Sequence, residues 1–137
     1  MAIVYSIDRP ITAQQLSDVF RSSGIRRPVN DLARMQQMID GADLTATAWD
    51  GDKLVGVSRS LTDFCYSCYL SDLAVDRAYQ RQGIGKELVR LTREAIGEQT
   101  MLLLISAPEA VEYYPKIGFT KLEADRGWII KRPPWPL

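Results

Sequence analysis

The chain contains no histidine, so the side chain that most often moves protons near neutral pH is missing. Proton transfer, if any, falls to carboxylates, tyrosine, cysteine, lysine or water. Cysteine is scarce as well: Cys65 and Cys68 are the only two, in Phe64-Cys-Tyr-Ser-Cys-Tyr-Leu70. A tetrahedral zinc site needs further soft ligands that the chain lacks, so no metal is expected. A redox-active C-x-x-C opens a helix, whereas this one falls in an apparent strand, where residues three apart face opposite ways. Two buried free thiols are the expectation. Net charge is absent too, with 17 basic against 17 acidic residues. That removes the global pull toward nucleic acid or an anionic membrane, and a small partner is expected instead. No apolar run reaches membrane-spanning length, and Met1 to Tyr5 carries neither a basic lead nor a cleavage-type site. A cytoplasmic protein is the default expectation. Its 137 residues suit one domain, 1–137, able to bury about two-thirds of its unfolded surface without staples.

Against these absences stands Gln80-Arg-Gln-Gly-Ile-Gly85. The stretch lies where an apolar extended run, Tyr69-Leu-Ser-Asp-Leu-Ala-Val75, gives way to a helix carrying Ile84, Leu88, Leu91 and Ala95 at helical spacing. Gly83 and Gly85 let the backbone approach a bulky ligand, and the first helical turn offers unpaired N–H groups at the positive end of the helix dipole. A phosphorylated ligand is expected there. The dinucleotide fingerprint fails because its third glycine position is Leu88. The P-loop fails because Gln80 stands at its first glycine and Glu87 at its hydroxyl position.

The pattern Q/R-x-x-G-x-G/A, met by Gln80, Gly83 and Gly85, resembles motif A of the GNAT superfamily of acyl-CoA-dependent N-acyltransferases. A second motif falls in register. Met101-Leu-Leu-Leu-Ile-Ser106 followed by Ala110-Val-Glu-Tyr-Tyr-Pro-Lys-Ile-Gly-Phe119 is similar to the strand, short helix and aromatic-Tyr-x-x-x-Gly-Phe signature of that family. The resemblance runs from about Leu44 to Phe119, and the ends agree only in element order.

The element pattern is compatible with it. Residues 3–7 alternate as a first strand. Thr12 can cap a helix using Leu16, Val19 and Phe20 that stops at Gly24, and Asn30 a second helix carrying Leu32, Met35, Met38 and Ile39 to Gly41. Residues 44–49 and 53–61 form a hairpin about Asp50-Gly51-Asp52. A strand at 65–75, the glycine loop, a helix to about Ile96, a strand at 101–106 and a short helix from Pro108 follow. Residues 120–122 and 127–131 read as final strands before Pro133, Pro134 and Pro136. The strands around the crossover helix should be parallel neighbours. The resemblance implies an α/β (α+β) GNAT fold: a central mixed sheet of six to seven strands flanked by helices, with parallel fourth and fifth strands that splay apart.

It also implies a site. Backbone amides of Gln80, Arg81, Gln82, Gly83, Ile84, Gly85 and Lys86 would hold the pyrophosphate of acetyl-CoA. Main-chain groups of Leu73, Ala74 and Val75 would meet pantetheine, lying in the cleft like an added strand, and the thioester carbonyl. Arg77, Arg81, Lys86 and Arg90 are candidates for the other phosphates, or simply a solvated helix face. Tyr114 matches the family tyrosine facing the CoA sulfur, a general acid for the departing thiolate, though Tyr113 and Tyr114 also read as core aromatics. Pro115 is expected to kink or end the short helix at Tyr114. Ala107 replaces an asparagine that contacts CoA in many relatives, so that contact is either absent or taken over by Ser106. The glutamate that some relatives use as a base is Tyr69 here. Asp72, facing the other side of the sheet unless a bulge intervenes, and Asp63 are candidate substitutes, alongside a water chain. The acceptor, a primary amine on a small molecule or protein, would be selected near Arg26, Arg27 and Pro28, the 61–66 segment and Trp128. A homodimer through the terminal strands is a further expectation. A non-catalytic acyl-CoA sensor is the alternative reading.

Overall fold

The structure is a computed structural model describing residues 2–133. Pro134 and Pro136, in the proline-rich end that follows the expected terminal strands, lie outside the described residues. The chain divides into a unit running to Leu104 and a second from Ile105 onward.

In the first unit the order is β1 (Val4–Ser6), α1 (Ala13–Ser23), α2 (Leu32–Gly41), β2 (Leu44–Asp50), β3 (Lys53–Thr62), β4 (Ser67–Val75), α3 (Ile84–Ile96) and β5 (Met101–Leu103). Helix α1 begins with a reciprocal cap. Thr12 accepts from the Gln15 N–H, while the Gln15 side chain accepts from the Thr12 N–H, satisfying two otherwise orphaned donors. It ends at Gly24, whose φ of 84° suits the left-handed stop. Helix α2 is capped by Asp31 rather than Asn30, whose side chain instead accepts from Arg21.

The five strands lie in sequence order, antiparallel from β1 to β4, with β5 parallel to β4. Helices α1 and α2 cover one face through Leu16, Val19, Phe20 and Met35, packed with Trp49, Leu54, Val57 and Ala74. Helix α3 covers the other, seating Ile84 and Leu88 on Ala46, Ala48 and Val55. Two register shifts interrupt the sheet. In β4, Arg59 pairs with Asp72 while Ser60 pairs with Leu70, leaving Ser71 as an extra residue. Cys68 before it packs with Ile96 of α3, and Leu73 and Val75 beyond it also pack on the α3 side. The bulge therefore reverses side-chain parity within one strand.

Among the described residues the sheet has five strands, not six to seven, because residues 120–122 and 127–131 form none. Alternation alone does not make a strand: such short segments are stable only when a ladder accepts them. Trp128 and Ile130 of that stretch are 88% and 100% exposed. No helix among the described residues is long and apolar enough to cross a membrane.

The second unit holds a 3-10 turn at Pro108–Ala110 and the short helix α4 (Tyr113–Lys116). Pro115 does not end this helix at Tyr114 as expected. It lies in the first turn, where its missing N–H had no intrahelical partner to lose.

Candidate functional site

Strand β4 and the turn after it supply the backbone groups that the sequence singles out. Pairing between β4 and β5 covers only Ser67, Cys68 and Tyr69 against Met101, Leu102 and Leu103. Beyond that point β4 continues for six residues with β3 on one side only. The Asp76 N–H donates to the Val55 carbonyl, which sets the phase of the β3 ladder. By alternation the backbone groups of Asp72 and Ala74 face β3, and those of Leu73 and Val75 face the open edge. Of the three residues expected to meet a ligand there, Ala74 is thus committed to the sheet.

Two side chains bracket the open edge. At one end the Gln80 amide donates to the Val75 carbonyl at 2.9 Å. At the other the Arg27 guanidinium donates to the Ser71 carbonyl at 3.0 Å. Between them lie the N–H and C=O of Leu73 and the N–H of Val75. Gln80, a motif residue, here closes the loop onto the strand end.

The loop is pinned from outside as well. Asp76 caps the 3-10 turn Arg77–Tyr79 by accepting from the Ala78 N–H, and its other oxygen pairs with Lys53 at 3.3 Å. The Tyr79 hydroxyl donates to Asp50, and that hydrogen bond raises its pKa. Both partners come from the β2–β3 hairpin. Arg81 has a φ of 66° and Gly83 a φ of 79°. Backbone of this alternating hand gathers successive N–H groups into an anion-binding concavity. Among the described residues none of the N–H groups from Arg81 to Lys86 meets a protein acceptor, and the first bond back into α3 runs from Glu87 to Gly83. These six donors lie in or just before the first turn, at the positive end of a thirteen-residue helix.

The cations proposed from sequence separate into two groups. Arg81 and Lys86 are exposed at the loop. Arg90 is held by Glu87 and Glu94, both bonds reinforcing its charge, and Arg77 lies against Gly24 at the end of α1, where an added Cβ would stand 2.1 Å from its guanidinium.

The candidate bases are also accounted for. The Ser71 bulge brings Asp72 to the same face as Tyr69, yet its fully buried carboxylate accepts from both Arg27 and Arg59. Arg59 also donates to the Ser71 hydroxyl and the Met38 carbonyl. Sequence reading missed this triad. A lone arginine in apolar β3 opposite a lone aspartate in β4 was the available signal. Asp63 accepts from the N–H groups of Tyr66, Cys65 and Ser67, which lower its pKa to about 2. Both carboxylates are organisers of loops. Cys65 lies in that turn, exposed rather than buried, and partial desolvation and Asp63 push its thiol pKa up. Cys68 is buried as expected.

In the second unit the Tyr114 ring stands edge-on to Tyr113 and Phe119, with centroids 5.3 and 5.5 Å away. Gly118, at φ 102°, turns the chain so that the Phe119 N–H returns to the Tyr114 carbonyl. The Gly-Phe pair thus folds back onto the tyrosine. The Ser106 hydroxyl donates to the Ala107 carbonyl. Among the described residues no three His, Cys, Asp or Glu side chains are grouped to hold a metal ion.

Comparison with known proteins agrees with this geometry. The chain is 26% identical over 124 residues to an uncharacterized ycf52-like N-acetyltransferase of Prochlorococcus marinus, covering 85% of this chain and 67% of that protein. It is 33% identical over 75 residues to the chloroplastic GCN5-related N-acetyltransferase 2 of Arabidopsis thaliana, covering 53% of this chain and 28% of the plant protein. The chain thus spans less than a third of that plant relative. A crystal structure of a protein of unknown function from meticillin-resistant Staphylococcus aureus, described as a probable acetyltransferase, shares the fold with a TM-score of 0.82 and 24% identity, covering 96% of this chain and all of that one. Because the family model for the acetyltransferase (GNAT) domain matches residues 12–127, spanning both the amide-lined loop and the tyrosine helix, the chain belongs to the GNAT acetyltransferase family.

Proposed function

We propose that the protein is an N-acetyltransferase that moves an acetyl group from acetyl-CoA to a primary amine of a small molecule or protein by direct attack. The observation that carries this reading is two neighbouring sets of backbone groups, the N–H and C=O of Leu73 with the N–H of Val75 on the open edge of β4 and, beyond the internally bonded turn at 76–80, the N–H donors from Arg81 to Lys86. Together they fit an extended amide-containing arm ending in a diphosphate. The edge would pair with the pantetheine amides as a strand does, and the loop would hold the phosphates. Arg81 and Lys86 would add charge at the surface.

When bound, acetyl-CoA supplies a thioester carbonyl to the amine: a C–N bond forms, the C–S bond breaks, the amine gives up a proton and the thiolate gains one. The Leu73 N–H is the open-edge donor suited to the carbonyl oxygen, where a fixed donor is worth about 3 kcal/mol in acyl transfer. Tyr114 is the proposed acid for the thiolate, by family position.

A second reading, a non-catalytic acyl-CoA-binding module, is favoured by one observation: both oxygens of Asp72 are held by arginines, and Asp63 already accepts three backbone N–H groups on Oδ1. Thiol release during incubation with acetyl-CoA and a panel of amines separates the two. Turnover with at least one amine is expected; binding without turnover across the panel would leave the sensor.

A further inference from the structure

Resting on that reading, we propose that Arg27 sets the length of acyl group the site admits. Its guanidinium closes the open edge of β4 at Ser71, so that an acetyl group fits and longer hydrocarbon chains meet a cation. The argument starts from direction. A ligand whose phosphates lie at residues 81–86 and whose arm pairs with β4 must run from Val75 toward Leu73 and then toward Ser71. The free backbone groups end at Leu73, because the next outward carbonyl, that of Ser71, already accepts from Arg27. From Val75 to Leu73 an extended strand covers only about 7 Å. The acyl end of the ligand therefore falls beside Arg27.

Arg27 is hard to displace. It donates to Ser71 and to Asp72, whose carboxylate is fully buried and also held by Arg59, and it donates to the Arg26 carbonyl through a third nitrogen. Moving it aside would strip a partner from a buried charge, a cost that a few methylenes do not offset. Leaving it in place would press hydrocarbon against a guanidinium. Either way the acyl chain is kept short by a residue of the α1–α2 loop rather than by the floor of an apolar pocket.

Calorimetric titration tests this without needing the acceptor. Free coenzyme A, acetyl-CoA, butyryl-CoA and hexanoyl-CoA are titrated into the wild type, Arg27→Ala and Arg27→Lys. The wild type should bind acetyl-CoA about tenfold or more tightly than hexanoyl-CoA, and Arg27→Ala should bring the two within about twofold. Arg27→Lys keeps the charge near Asp72 but cannot span both Asp72 and Ser71. It should also lose discrimination, and it carries the test if the alanine variant does not fold. Free coenzyme A, with no acyl group to meet the stop, should bind all folded forms alike. Equal affinity of the wild type for acetyl and hexanoyl thioesters overturns the proposal, as does a folded variant that keeps wild-type discrimination. Equal weakening of coenzyme A and all its thioesters in both variants also overturns it, since that marks general damage. A wild type that binds none of the four removes the functional reading itself, and this inference with it.

Discussion

Gly83 stands at a φ of 79° with nothing within 4 Å of where a Cβ would lie. Substitution there is therefore opposed by backbone hand and not by crowding. Gly83→Ala should cost about 1–2 kcal/mol in urea denaturation. Relaxing that φ re-aims the amides of Ile84 to Lys86, so acetyl-CoA affinity should fall by about tenfold or more in calorimetry. Retained affinity with lowered stability would show that the amides are not the phosphate ligands. Tyr114→Phe keeps both edge-on ring contacts and removes only the hydroxyl. A thiolate is a fair leaving group, so kcat should drop toward the low end of general-acid effects, roughly a hundredfold, with the acetyl-CoA dissociation constant unchanged. Unchanged kcat takes the phenol out of the mechanism. Residues of this kind can be singled out from sequence because each stands in a spaced motif. The meeting of Arg27, Arg59 and Asp72 cannot, since it depends on a bulge at Ser71 that reverses which side of β4 a residue faces. No periodicity announces such a reversal.

Each element was readable from sequence wherever its own residues end it. Thr12, Gly24 and the Asp50-Gly51-Asp52 turn mark boundaries through local hydrogen bonds and backbone hand, and the structure uses all three. The terminal strands were misread because pairing belongs to two segments at once. The β3–β4 turn gives a pH prediction. Asp63 is held at about 2 by three backbone donors, below its unfolded value, so its contribution to stability is present above about pH 4 and is lost as pH falls through its folded pKa. Urea midpoints of the wild type should therefore decline between about pH 4 and pH 2 more steeply than those of Asp63→Asn, which has no carboxyl to titrate. Parallel declines would assign the acid sensitivity elsewhere. The seat of α3 gives another. At Gly56 an added Cβ would lie 2.9 Å from Ile84 Cγ2, 3.1 Å from Leu88 Cδ1 and 3.3 Å from the Ala48 Cβ. Gly56→Ala should cost about 1–3 kcal/mol by overpacking. Because Ile84 is the first residue of α3, acetyl-CoA binding should weaken along with stability, which calorimetry on the folded variant would read.

At the scale of the whole molecule, balanced charge decides what kind of ligand effect to expect. With 17 cations against 17 anions there is no net charge to draw a polyanion, so on the proposed reading coenzyme A is held by short-range backbone donors, the strand edge and the local charges of Arg81 and Lys86. Phosphate content alone should then not stabilise the fold. Binding to the native state alone raises stability by about 2.7 kcal/mol at a ligand concentration a hundredfold above the dissociation constant. For a chain of 137 residues, whose unfolding entropy scales with length, that corresponds to a rise in Tm of roughly 9 °C. Acetyl-CoA should produce a shift of this order, while ATP and NAD at the same concentration, which carry phosphates but no pantetheine to pair with Leu73 and Val75, should produce little. Equal shifts from all three would mean that the loop binds any polyphosphate, and that the open edge of β4 contributes nothing to recognition.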